Sequence, residues 1–161
     1  NEIQKINFSN ENSSIIAAAI GIASQNKLWV FDTLSQKLGL YNYSNGAFKS
    51  ITTSFQGNFK YYESDFNTFQ WIDDNLNWFS CDIYGKITLL RKVADFDKIQ
   101  ILNPELILFS KGEHLYFQDF KLNTTEEVQN VNKSFEFFSY KDQFLFIFTN
   151  RQIKNYKITT P

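Results

Sequence analysis

A chain of 161 residues, whose sixteen basic and seventeen acidic side chains leave a formal charge of −1, is long enough for one domain with a core. It lacks the electrostatic footprint of a protein that grips nucleic acid or anionic lipid. A single cysteine excludes an internal disulfide framework or a cysteine-based metal cluster, and no apolar run approaches the ~18 residues of a membrane-spanning helix.

Aromatic residues make up 18% of the sequence, which suits pleated, half-buried strands. In chain order, residues 2–8 read as an isolated strand. The first repeat unit, 14–53, follows. It holds a strand at 14–20, the run Lys27-Leu-Trp-Val-Phe-Asp-Thr33, a third strand at 38–43 and a more polar fourth at 48–53. The second unit, 59–93, repeats the order with 59–64, Thr68-Phe-Gln-Trp-Ile-Asp-Asp74, 78–83 and 87–93. The third, 98–131, has 98–102, Leu106-Ile-Leu-Phe-Ser-Lys-Gly112, 115–120 and 126–131. The last, 135–158, has 135–140, Phe144-Leu-Phe-Ile-Phe-Thr-Asn150 and 153–158, and stops after its third strand. The second strands begin at 27, 68, 106 and 144, intervals of 41, 38 and 38 residues. Asn42, Asp82, Asp119 and Lys157 close the third strands at matching intervals.

Apolar spacing of two, or continuous, with hairpin-length loops such as Asn45-Gly46, Tyr84-Gly85 and Lys111-Gly112, predicts an all-β fold and no helix. The fold class is a β-propeller of four-stranded antiparallel meander blades, four in this chain, within a single domain over 1–161. Trp29, Phe31, Trp71, Leu106, Leu108, Leu145 and Phe148 are the predicted core. Two readings of residues 2–8 stand side by side. Either the segment pairs with 153–158 and closes a four-bladed ring, or it is the outer strand of an earlier blade and the chain is part of a larger ring. The absence of an initiator Met is read as a processed or trimmed product.

Lys27-Leu-Trp-Val-Phe-Asp-Thr33 followed by Lys37-Leu-Gly-Leu-Tyr-Asn-Tyr-Ser-Asn-Gly46 resembles the NHL-type propeller repeat. In that repeat a hydrophobic strand ends in Asp, a second ends in Asp or Asn, and a Gly-containing turn follows. Asp82-Ile-Tyr-Gly85 matches the second half, and Asp119-Phe120 part of it. The whole chain is similar to the C-terminal two thirds of a family of exported Bacteroidetes propeller proteins. That resemblance implies a six-bladed ring, export to the periplasm or the outer membrane (alternatively the extracellular space), and no catalytic residues to transfer.

The residues themselves offer little chemistry. His114 has no histidine or cysteine partner for zinc and reads as an exposed turn residue, while Cys81 reads as a buried structural thiol. Glu63, Asp65, Asp73 and Asp74 stand at the ends of the first two strands of the second unit, where paired carboxylates could serve calcium or glycoside chemistry, but the Asp73–Asn77 run lacks the glycine of a calcium loop and reads as a solvated turn. Trp29, Trp71 and Trp78 fall inside strands and read as core rather than as sugar platforms. No cofactor or metal is expected, and the chain reads as a non-enzyme. Its partner is expected to be a protein, in an envelope complex, met by the loops of one ring face. The candidate contacts there are Phe55, Asp73, Asp74, Asp95, Phe96, Asn132 and Arg151, with Phe55 and Phe96 the two exposed aromatics. The alternative is a glycan-binding or glycan-degrading secreted propeller.

Overall fold

The computed structural model describes residues 15–19, 27–32, 37–42, 44–52, 59–64, 67–128, 135–149 and 152–158. The strand expected at 2–8 lies outside them. Every described element is a strand, in four antiparallel sheets whose hydrogen-bonded neighbours are consecutive in sequence. The chain divides into two compact units, Asn1–Val93 and Ala94–Pro161.

The first unit holds two sheets. One is β1 (Ile15–Ala19), β2 (Lys27–Asp32), β3 (Lys37–Asn42) and β4 (Ala47–Thr52); the other is β5 (Phe59–Ser64), β6 (Thr68–Asp73), β7 (Asn77–Asp82) and β8 (Ile87–Lys92). Their core is aromatic. Trp29, Phe31, Leu38 and Leu40 of the first sheet meet Phe69, Trp71 and Cys81 of the second, all buried. Trp29 lies 6.1 Å from the Phe69 ring, and Phe31 meets Phe59 edge-on at 4.5 Å. Alternation explains the pairing, because Trp29 and Phe31 sit two residues apart and so share one face of β2, as Phe69 and Trp71 do on β6. Trp78, also buried, donates its indole N–H to Gln70 Oε1 at 2.9 Å, and the Arg91 guanidinium lies 5.7 Å from its ring centroid.

The second unit repeats the scheme. β9 (Lys98–Asn103), β10 (Leu106–Lys111), β11 (His114–Asp119) and β12 (Thr124–Glu127) form one sheet, and β13 (Phe137–Lys141), β14 (Phe144–Thr149) and β15 (Gln152–Lys157) the other. Leu108 and Leu115 pack with Phe138, Leu145 and Ile147. A side chain adds to the join. Gln100 of β9 accepts from the Tyr140 backbone N–H at 2.7 Å and donates to the Tyr140 carbonyl at 3.0 Å, so one amide pairs with both main-chain groups of a residue in the next sheet.

The recurring Asp or Asn at the strand ends has a local cause. Asn42 Oδ1 accepts from Ser44 N; Asp82 Oδ1 from the amides of Tyr84 and Lys86; Asp119 Oδ1 from those of Lys121 and Leu122. Each closes the turn that follows its strand, as Asx turns do. Asp73 does the same one hairpin earlier, through Asn75 N and Asn77 N.

Some expectations need correction. Leu106 and Phe148 are only half-buried, while Ile107 and Ile147 are fully so. Leu106 opens its strand beside a register shift against β9. The fourth strand of the third unit begins at Thr124 rather than at 126, because the turn closed by Asp119 sets Asp119 opposite Thr124; it runs to Glu127, and the expected 129–131 lie outside the described residues.

Candidate functional site

Of the seven candidate contacts, Phe55, Asn132 and Arg151 lie outside the described residues. Asp73 is half-buried at the end of β6, with Oδ1 occupied by its turn and Oδ2 by the Asn77 side-chain amide at 3.1 Å. Asp74 is exposed in the same turn. Asp95 is half-exposed and accepts from the Lys111 ammonium, which also lies 3.8 Å from Asp97. Phe96 is buried, against expectation. Its segment is laid tightly on its own sheet: Ala94 N donates to Gln118 Oε1, Asp97 N to the Ser110 carbonyl, and Gly112 N to Asp97 Oδ2. An aromatic in so fastened a linker turns inward.

Within each unit the linker that joins or follows the sheets lies beside a second-to-third-strand turn. The Asp95–Asp97 segment meets the β10–β11 turn through Lys111 and Gly112, and Val93 N bonds the Leu76 carbonyl of the β6–β7 turn at 2.9 Å.

The carboxylate cluster does not form. Glu63 pairs across with Gln70 and Phe59 with Asp73, so Glu63 and Asp73 occupy opposite ends of one hairpin. Glu63 Oε2 accepts from the Tyr61 hydroxyl at 2.7 Å, and Asp65 lies outside the described residues. Among the described residues no three His, Cys, Asp or Glu side chains are grouped to hold a metal. There is likewise no helix long and apolar enough to cross a membrane.

His114 opens β11 and is partly exposed, with Nδ1 at 2.6 Å from Glu127 Oε1, a contact that ties β11 to β12. Cys81 is fully buried mid-strand. Burial first, and the Asp82 charge second, push its thiol pKa up to about 11, which removes thiolate at neutral pH.

Sequence reading missed the exposed apolar surface. On the outermost strand β8, Ile87 and Leu89 are exposed, Leu90 beside them too, and Tyr84 stands in the preceding turn with 84% of its surface open. Ile87 pairs with Cys81 and Leu89 with Phe79, so the two share a face. In the fourth sheet Phe137, Phe148 and Ile153 form one cross-strand row, its two outer members exposed. Composition alone cannot mark such residues, since an apolar strand residue is by default assigned to the core.

No protein-family model matches the chain, and no curated protein matches it. Solved structures do. Hsv2 of Kluyveromyces lactis aligns at TM-score 0.50 and 16% identity, over 84% of this chain and 43% of that one. The computationally designed protein Ika4 aligns at TM-score 0.55 and 11% identity, over 97% and 99%. A chain of a nidogen/laminin complex aligns at TM-score 0.55 and 10% identity, over 90% and 61%. The sheets are blades of a β-propeller. At these identities the likeness is one of fold, and the chain spans under half the length of Hsv2.

Proposed function

We propose that this chain is a non-catalytic protein-binding or assembly module of the bacterial cell envelope, built on propeller blades. The observation that carries the reading is the exposed apolar surface of β8. Outermost strands normally meet water with polar side chains, as Thr124-Thr125-Glu126-Glu127 does in the neighbouring unit. β8 instead exposes Ile87, Leu89 and Leu90, flanked by exposed Lys86 and Lys92. An apolar patch with a polar rim is the usual mark of a protein interface. A sheet held by buried Trp71, Ile72 and Trp78 offers it on a rigid support. The envelope assignment rests on the similarity of the whole chain to a family of exported Bacteroidetes propeller proteins. The three tryptophans are buried, so they supply no stacking platform for a glycan.

The test is affinity capture from a native envelope fraction with the wild-type chain and with an Ile87→Glu/Leu89→Glu variant whose thermal melt is unchanged. A protein retained by the wild type and lost from the variant supports the reading. Equal capture by both removes β8 as the docking strand, and binding or cleavage of a polysaccharide across a glycan panel overturns the non-catalytic, protein-directed assignment.

A further inference from the structure

Third strands are interior in three of the sheets and superficial in the fourth. Their second residues are Leu38, Trp78, Leu115 and Ile153, and their exposures are 0%, 0%, 2% and 66%. Five of the six residues of β15 are exposed, the pattern of the outermost strand β8 rather than of β3, β7 or β11. In the other sheets a fourth strand lies against that edge; among the described residues none lies against β15. The neighbouring sheet shows which main-chain groups face the edge. There the Leu115 carbonyl accepts from Val128 N at 2.8 Å, and the alternation of antiparallel pairing turns Leu115, Phe117 and Asp119 outward together. The same register on β15 turns out the amides and carbonyls of Ile153, Asn155 and Lys157.

The side chains around that edge select its occupant. Three cross-strand rows cover one face of the sheet: Phe137–Phe148–Ile153, Ser139–Phe146–Asn155 and Lys141–Phe144–Lys157. They are apolar at one end, basic at the other, and contain no carboxylate. Lys154, also exposed, stands on the opposite face. In the neighbouring sheet the position equivalent to Lys154 is Tyr116, and the residue that β12 sets opposite it is Glu127. We propose that β15 is an acceptor edge. It takes, as the fourth strand of its sheet, an extended segment of another protein in which apolar and acidic side chains alternate. The apolar residues extend the row through Ile153, and a carboxylate faces Lys154. This deepens the protein-binding reading and rests on it.

The probe is an eight-residue peptide alternating valine and glutamate, with a peptide of the same composition in two blocks as control, added to the full chain. The alternating peptide should bind in a salt-sensitive manner and the block peptide should not. Hydrogen exchange at the amides of Ile153, Asn155 and Lys157 should be fast in the free chain and slow in the complex. Lys154→Glu should weaken binding about ten-fold. Asn155→Pro removes an N–H that points away from β14, so it should abolish binding while leaving the melt of the chain unchanged. Binding that survives Asn155→Pro, protection of the three amides without peptide, or equal binding of the block peptide would each overturn the proposal. If β15 fails while envelope capture through β8 persists, only the acceptor edge is lost.

Discussion

Gly85 offers a clean measure of how closely the two sheets of the first unit are joined. It lies in the β7–β8 turn at φ +91°, and a Cβ built on it would stand 2.7 Å from the Ile51 carbonyl oxygen of β4 and 3.3 Å from Ile51 Cγ2. Two costs add in Gly85→Ala. A side chain at positive φ costs about 1–2 kcal/mol, and forcing backbone apart in a packed contact costs a further ~1–3 kcal/mol, so the expected loss is roughly 2–5 kcal/mol. Gly112→Ala separates the two, because Gly112 sits at φ +59° with no atom within 4 Å of its hypothetical Cβ; it should lose only the first ~1–2 kcal/mol. Urea denaturation gives both numbers, followed by tryptophan fluorescence for Gly85→Ala in the first unit and by circular dichroism for Gly112→Ala in the second. Trp29, Trp71 and Trp78 are all buried in the first unit and report on it directly. If Gly85→Ala and Gly112→Ala lose the same stability, β4 yields freely to the β7–β8 turn and the argument for a rigid join fails.

Gln100→Ala should cost about 1–3 kcal/mol by stranding the N–H and carbonyl of Tyr140, read by chemical denaturation of the second unit. Ile107→Ala should cost about 2–5 kcal/mol as a fully buried truncation, and Leu106→Ala clearly less; equal losses would contradict the half-exposed placement of Leu106. The Cys81 thiol should be silent to a thiol reagent in the folded chain at pH 8 and react fully in denaturant. Its folded pKa of about 11 lies above the ordinary value of 9.0, so the folded state holds the extra proton between those values. Stability linked to Cys81 is then intact below about pH 9 and lost as pH rises toward 11. Cys81→Ala should flatten that part of the pH profile.

The strands were legible because period and position agreed. Four second strands at near-constant intervals carry alternating or continuous apolar residues, and each became the second strand of its sheet. The strand-end Asp and Asn residues were legible as a pattern but not as a cause. A carboxylate at a turn looks the same in sequence whether it binds a ligand or its own backbone, and Asp73, Asp82 and Asp119 do the latter. The exposed apolar surface was the least legible. Phe96 looked exposed in a polar linker and is buried, because three hydrogen bonds fasten that linker to its sheet. Ile87 and Leu89 are apolar residues of a fourth strand and are exposed. Polarity of the local sequence decides neither case; the position of the strand in its sheet does.

Phe31 and Phe148 make the point with one residue type. Each is the fifth residue of a second strand and follows an aromatic two positions earlier, Trp29 in one and Phe146 in the other. In the first sheet that face meets Phe59, Phe69 and Trp71 of the next, and Phe31 is buried. In the third sheet the corresponding face presents Leu108 to Leu145 and Ile147, which are the second and fourth residues of β14. Odd positions of one second strand thus pack on even positions of the next. β14 spends its even positions on the third sheet and holds Phe144, Phe146 and Phe148 on its other face. Phe148 is thus half-exposed where Phe31 is buried, and its partners in the row, Phe137 and Ile153, are exposed with it.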